Sequence, residues 1–299
     1  MAHFGQCLPR STSKVVKVRK RLAFEGHNPT LGQVVGQSYV LAYKESVDPL
    51  VTALEKEKLN PTVLRAVYTT EEQTYSRNIR TFMSHLAAWQ RAARNQSHTL
   101  ICEADFVPCQ GLGSFPTFWP SDEPMAWGYM YQGSPRVIAL IGPERYLRGH
   151  SAPLVAYVVN AEVAKRLCDC FEHEMKGRDP RDFFSFDGAL QWVAMGKGCK
   201  AFISPTHYGE HGGRANPEHG MAGVRRAGEH RADNLAGPLH FLPQYCDGSR
   251  LRYRYVRVKE RLLGFARLLT GRWISRAGSY PYNFSARLEM MAVGLRRLL

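Results

Sequence analysis

Apolar positions fall along this chain in short uninterrupted runs and in helical stripes that succeed one another in a regular order. Residues 37–43 (Gln-Ser-Tyr-Val-Leu-Ala-Tyr) read as a first strand. Asp48 then offers an N-cap and Pro49 a first helical position, ahead of a stripe of Leu50, Val51, Leu54 and Leu59. Residues 62–69 form a second strand, and a strand, helix and strand packed into so short a span predict a βαβ unit with a right-handed crossover. Residues 77–93 repeat Ile79, Phe82, Met83, Leu86 and Ala93 at helical spacing, with Trp89 beyond Leu86. A third strand follows at 99–107, Thr-Leu-Ile-Cys-Glu-Ala-Asp-Phe-Val.

The later pattern is less even. Strand-like runs occupy 125–132, 137–142 and 153–160, a helix spans 161–175 on Val163, Leu167, Cys170 and Phe171, and a short strand covers 199–204. A further helix starts near Asp187, after the aromatic run Phe183-Phe184-Ser185-Phe186. From Pro205 the chain turns rich in Gly and His, which predicts a loop closing over a polar ligand or simply a solvated loop.

Chemistry concentrates where the third strand ends. Glu103 and Asp105 sit two apart, so an extended chain puts both carboxylates on one face, beyond the carboxyl end of a strand where open α/β sheets bind ligands. Two hard oxygen donors there suit Mg or Mn and, through the cation, a diphosphate. The other reading of an acid-x-acid triplet is a strand end entering solvent. Ser84 and His85 lie beside the apolar stripe of their helix, as a surface pair or as partners of a neighbouring loop.

Charge and cysteine content narrow the setting. The 299-residue chain carries +14 overall, but residues 37–246 balance 22 basic against 22 acidic side chains, and the excess lies in 1–36 (+5) and 247–299 (+9). A nucleic-acid-binding protein using its basic ends is therefore the weaker class, because the central segment is neutral. The basic run at 14–21 reads as a solvated arm or a binding element. Seven scattered cysteines give neither a disulfide framework nor paired zinc-site spacing, which points to a reducing, cytoplasmic setting. No window has the apolar length of a spanning helix.

The ordered set Ser-Tyr-Val-Leu-Ala-Tyr, Arg-Ala-Val-Tyr, Met83-Ser84-His85-Leu86-Ala87-Ala88-Trp89 and Leu100-Ile101-Cys102-Glu103-Ala104-Asp105 resembles glycosyltransferase family 25. The pattern continues in Ala156-Tyr157-Val158-Val159-Asn160, Ala164-Lys165-Arg166-Leu167 and Phe186-Asp187, so the resemblance spans about residues 37–210. It departs where the family has Glu-Asp-Asp in place of Glu103-Ala104-Asp105, and where the family's arginine after the first strand is missing from 44–49.

The resemblance implies an α/β fold of GT-A type, with a Rossmann-like, mostly parallel central sheet at 37–246 between basic extensions at 1–36 and 247–299. It further implies inverting transfer of a galactose- or glucose-type hexose from a nucleotide-diphosphate sugar to a saccharide or lipid-linked acceptor, as in lipopolysaccharide or other cell-surface glycan synthesis. By this matching Asp105 is the principal ligand of Mn or Mg, Glu103 supports the metal or the donor sugar, a later histidine, His207 or His211, completes the shell, and Tyr39, Ala42, Tyr43, Ser84, His85 and Arg225 face the donor. Arg226 and Arg231 are further candidates for phosphate. Because a cation and a base must act on opposite faces of the sugar, a second acid is needed, and Asp187 is the candidate base, a role compatible with a helix N-cap. A catalytically silent binding or scaffold protein is the competing class, suggested by Ala104.

The tail at 256–274 combines Leu262, Leu263, Phe265, Leu268, Leu269, Trp273 and Ile274 with Arg257, Lys259, Arg261, Arg267 and Arg272. That basic amphipathic pattern predicts either a helix lying on anionic lipid, at the cytoplasmic face of an inner membrane, or one that meets a partner or forms an oligomer.

Overall fold

The computed structural model describes residues 28–133, 135–151, 153–214, 231–274 and 284–299. A single helical turn, α1 (Leu31–Val34), leads into β1 (Val35–Ala42), and α2 (Asp48–Lys56) and β2 (Pro61–Arg65) complete the expected βαβ unit. Val47, not Asp48, occupies the α2 N-cap, and Asp48 and Pro49 form its first turn. α3 (Arg77–Ala92) is capped by Ser76, whose hydroxyl accepts from the Ile79 amide at 3.3 Å, and β3 (His98–Glu103) returns parallel to β1.

Beyond β3 the chain makes a turn at Ala104 and Asp105 and enters the short β4 (Phe106–Pro108). β5 (Ala126–Tyr129), β6 (Arg136–Ile141), β7 (Tyr146–His150) and β8 (Ala156–Val159) follow. Then come α4 (Ala161–Met175), α5 (Phe186–Gly196), β9 (Lys200–Ile203), β10 (Gly209–His211), α6 (Arg250–Leu269) and α7 (Phe284–Leu298).

The main sheet has the order β2-β1-β3-β8-β5-β9-β7-β6, and β10 pairs separately with β4. Pairings β1–β2, β1–β3 and β5–β9 are parallel, while β3–β8, β5–β8, β7–β9 and β6–β7 are antiparallel, so the sheet is mixed. Its parallel pairs are the three strands built by the N-terminal crossovers and, farther along the sheet, β5 with β9. The sequence pattern missed β7, whose Tyr-Leu-Arg-Gly-His carries a glycine and two basic side chains.

Side-chain alternation sends one set of residues to each face of the sheet. Tyr39, Leu41, Ile101, Tyr157 and Val159 join Phe82, Trp89, Leu167 and Leu190 of α3, α4 and α5 in one apolar cluster. Val40, Leu100, Cys102 and Val158 join Leu50 and Leu54 of α2, with Phe118 and Trp119, in the other. Tyr39 and Ala42 are accordingly core residues, Tyr39 with its hydroxyl toward Asn95.

Packing crosses both boundaries suggested by the charge distribution. Leu31 and Val35 are fully or nearly fully buried, and α6 and α7 add Leu268, Met290, Val293 and Leu298 to the first cluster. The C-terminal helices are also fastened by buried charge. Arg297 of α7 reaches the buried Asp233 carboxylate at 2.6 and 3.2 Å, where His207 and Arg267 converge as well. Burial opposes ionisation of Asp233, but Arg297 and the other donors outweigh it and hold the carboxyl far below its ordinary value. Arg297→Met would strip a buried carboxylate of its main partner. The single variant is expected to lose about 3–5 kcal/mol of unfolding free energy in urea titrations, and Asp233→Leu/Arg297→Met to lose less.

Candidate functional site

Two elements far apart in the chain assemble the site. β10 lies antiparallel to β4, with His211 opposite Phe106 and Glu210 opposite Val107, so His211 reaches the turn that carries Asp105. Its Nε2 lies 3.0 Å from Asp105 Oδ2. One ligand atom each from Glu103, Asp105 and His211 falls within 4.8 Å of the other two. The three side chains keep 25%, 27% and 24% of their surface open, so the cluster is reachable from solvent.

Glycine makes this approach feasible. A Cβ on Gly213 would fall 2.0 Å from Asp105 Oδ2, and one on Gly212 would fall 2.8 Å from the Asp105 carbonyl oxygen, which accepts the Gly212 amide at 2.8 Å. Behind the strand, the buried Arg231 guanidinium donates to the carbonyls of His211 and Gly213. Arg231 is therefore a strut of the site and not a surface phosphate contact.

Glu103 is held from the other side by a relay of buried polar tips. Trp89 Nε1 donates to the Tyr157 hydroxyl at 2.7 Å, that hydroxyl lies 2.8 Å from His85 Nδ1, and His85 Nε2 lies 3.2 Å from Glu103 Oε1. An indole can only donate, so the Tyr157 hydroxyl accepts from Trp89, and the relay is completed when that hydroxyl donates to His85 Nδ1 and His85 Nε2 donates to Glu103. His85 is fully buried, and its contact is with the carboxylate. Neither Trp89 nor Tyr157 stood out as a site residue in the sequence. The signal was an aromatic with a polar tip in a buried stripe, which requires a partner.

Titration behaviour follows from crowding of charge. Burial pushes His211 down, but Asp105 and then Glu103 outweigh it and raise the imidazole to about 9. Burial pushes Asp105 up, and the His211 charge with Arg231 beyond brings its carboxyl below the ordinary value. Asp187, the second residue of α5 and not its N-cap, is raised to about 8 by burial first and by the Glu103 charge second. Asp187 therefore shares the electric field of the cluster, while Ser185 takes the cap position. Asp105 Oδ1 and His211 Nδ1 are buried and meet no partner among the described residues. Two carboxylates and an imidazole with such orphaned atoms fit a divalent cation, and the imidazole favours Mn over Mg.

The remaining sequence candidates divide. His207 does not join the cluster: its Nδ1 accepts the Gln132 amide at 3.2 Å and its Nε2 lies 3.1 Å from Asp233 Oδ1. Burial, only partly offset by Asp233, lowers it to about 4 and keeps it neutral, as a bracket of the core. Arg225 and Arg226, like the basic run at 14–21, lie outside the described residues. Tyr43 and Ser84 do come together beyond the ends of β1 and β2, through Tyr68. The Tyr43 and Tyr68 rings are 5.1 Å apart, and the Tyr68 and Ser84 hydroxyls 3.0 Å. Lys44 lies 4.9 Å from the Tyr43 ring and the Arg80 guanidinium 5.6 Å from that of Tyr68. Arg80 Nε is buried without a partner, so α3 supplies a cation in the region where no arginine follows β1. Tyr68 and Arg80 were not singled out from the sequence as site residues.

No family model matches the chain, and no curated protein sequence matches it. Among solved structures, the chain is similar to a glycosyltransferase involved in the glycosylation of the major capsid of PBCV-1. That likeness has 9% identity and a TM-score of 0.37, covering 56% of this chain and 81% of that one. It is too slight to fix the fold family.

Two outcomes follow from the geometry. Gly213→Ala must displace the Asp105 carboxylate, and manganese affinity in calorimetry is expected to fall about 10- to 100-fold with far-UV dichroism unchanged. Asp187 holds a proton in the folded, cation-free protein up to about pH 8 that the unfolded chain releases near its ordinary value of 3.8. Its contribution to stability is thus complete at acid pH and declines as pH rises through that window. In EDTA, Asp187→Asn should lose that decline, so that its thermal midpoint exceeds the wild type's by more at pH 8 than at pH 5.

Proposed function

We infer that the chain is a metal-dependent, inverting glycosyltransferase of the family 25, GT-A type. It would move a hexose of galactose or glucose type from a nucleotide-diphosphate sugar to a saccharide or lipid-linked saccharide, in lipopolysaccharide or other cell-surface glycan synthesis. The observation that carries this reading is the convergence of Glu103, Asp105 and His211 beyond the carboxyl end of β3, with Asp105 Oδ1 and His211 Nδ1 unpartnered among the described residues. A divalent cation held there supplies charge neutralisation of the departing diphosphate.

The protein's own groups account for the rest. Asp187 is protonated up to about pH 8 in the cation-free protein; a cation at the cluster would offset the Glu103 charge that helps raise it, and the carboxylate so freed takes the proton of the attacking acceptor hydroxyl. As that oxygen bonds to the anomeric carbon, the bond from this carbon to the diphosphate oxygen breaks, its electron pair leaves with the phosphate, and the configuration inverts. His85 orients Glu103 through its Nε2 proton, with Tyr157 and Trp89 fixing the ring. The Tyr43 and Tyr68 rings offer a stacking surface to a nucleobase, and Lys44 and Arg80 offer positive charge to phosphate.

Calorimetric titration with UDP, GDP, CDP and ADP and their hexose conjugates, with and without manganese, tests the reading. Wild type is expected to bind one nucleotide series only when manganese is present, with Asp105→Ala weaker by at least about 100-fold. Asp187→Asn is expected to keep donor binding while transfer to a saccharide falls about 100-fold or more. Absence of nucleotide binding by the wild type under every condition would sink the transferase reading.

A further inference from the structure

Helix α6 presents an apolar stripe outward, and it shares only Leu262 and Leu269 with the stripe that the sequence pattern suggested. On α6, Arg257 pairs with the buried Glu210, Arg267 approaches Asp233 and Glu260, and Leu268 enters the core, as does Trp273 in the turn that follows. Gly264 faces inward too, where a Cβ would come within 3.0 Å of Asp233 and Leu298. The inward side of the helix is therefore mixed, with Arg257, Glu260 and Arg267 beside Val256, Phe265 and Leu268.

On the opposite side stand Leu251, Tyr255, Val258, Leu262 and Leu269, from 61% to 82% exposed. At about 100° per residue these five fall within roughly 40° of one line, diametrically opposite Glu260 and Gly264. Arg254 and Arg261 flank the stripe along one edge and Arg252 and Lys259 along the other. The only acid of α6 is Glu260, which is buried. Arg252 shares Asp247 with Arg214, but Arg254, Lys259 and Arg261 make no ion pair among the described residues. On α7 and just past its end, Leu288, Leu295 and Leu299 are exposed as well.

We propose that the outer face of α6 docks the protein on the surface of an anionic lipid bilayer, with Leu251, Tyr255, Val258, Leu262 and Leu269 entering the boundary between headgroups and acyl chains. An apolar stripe bordered on both edges by Arg and Lys, with no exposed carboxylate, matches a surface that is apolar in depth and negative at its rim. A second copy of the chain matches it poorly. Two-fold packing on this stripe would set Arg254, Lys259 and Arg261 against the same side chains of the partner with no acid to pair them. No helix among the described residues is long and apolar enough to cross a membrane, so the contact is one of lying on the surface. It involves neither the cation cluster nor the nucleotide, and stands apart from the transferase reading.

Co-sedimentation of the full chain with vesicles tests it. Wild type is expected to bind vesicles of mixed phosphatidylglycerol and phosphatidylcholine, weakly or not at all pure phosphatidylcholine, and less as salt rises. Val258→Asp/Leu262→Asp changes only exposed positions, so manganese binding and the thermal midpoint should be retained while vesicle affinity drops at least about tenfold. Arg254→Gln, Lys259→Gln and Arg261→Gln should each weaken binding about fivefold. Failure of the wild type to bind anionic vesicles would overturn the proposal. So would equal binding by Val258→Asp/Leu262→Asp, which assigns the contact to another segment, and so would a concentration-dependent dimer that this variant abolishes, which assigns the stripe to a second copy.

Discussion

Glu103 is crowded by acid, with Asp105 in the same cluster and Asp187 within reach of its charge, and the cost of that repulsion governs this region of the molecule. Without an added cation two protons supply the missing positive charge. One is retained on His211, raised to about 9, and the other on Asp187, raised to about 8. A divalent cation would supply the same positive charge: it competes with the proton for His211 directly, and it relieves Asp187 by offsetting the Glu103 charge. Every brace around the cluster keeps these groups close in spite of that cost. The Trp89–Tyr157–His85 relay fixes Glu103, and Gly212 and Gly213 let β10 press against the Asp105 turn.

The brace extends into the C-terminal helices by a second set of buried charges. Glu210, next to His211, is fully buried; it accepts the Ala232 and His211 amides at 2.9 and 3.1 Å and pairs with Arg257 of α6. Burial raises its carboxyl, and Arg257 only partly opposes this. Asp233, four-fold engaged by His207, Arg267 and the two Arg297 nitrogens, does the same for α7. Such pairs contribute little net stability compared with apolar packing, because two charges lose their hydration. What they do is register the helices: a slip of one turn would leave buried carboxylates without partners.

Legibility from the sequence tracked how local each cause is. The first βαβ unit, the α3 stripe and the bounds of α4 at 161–175 follow from neighbouring residues alone. The pairing of Glu103 with Asp105 was also legible, although the chain achieves it by turning at Ala104 instead of continuing the strand. The antiparallel insertion of β8 between β3 and β5 depends on partners more than 20 residues away, and nothing in the local pattern announces it. His207 and His211 are equivalent in sequence, four apart in one Gly-rich stretch. They part because Asp233 and the Gln132 amide claim one, and Asp105 the other.

The tail shows why helical periodicity identifies an amphipathic element without giving its orientation. α6 carries two faces that could be buried: an apolar one, Leu251 to Leu269, and a mixed one in which Arg257, Glu260 and Arg267 stand beside Val256, Phe265 and Leu268. Hydrophobicity alone would bury the first. The second is buried because the core presents Glu210 and Asp233 at that place, and leaving either unpaired costs more than exposing a few leucines at about 25 cal/mol per Å². The outcome puts the apolar face in solvent and the Arg257–Glu210 pair beneath it, on the strand that carries His211. A surface that captures the outer face thus lies about one helix diameter, some 10 Å, from the brace of the cation cluster.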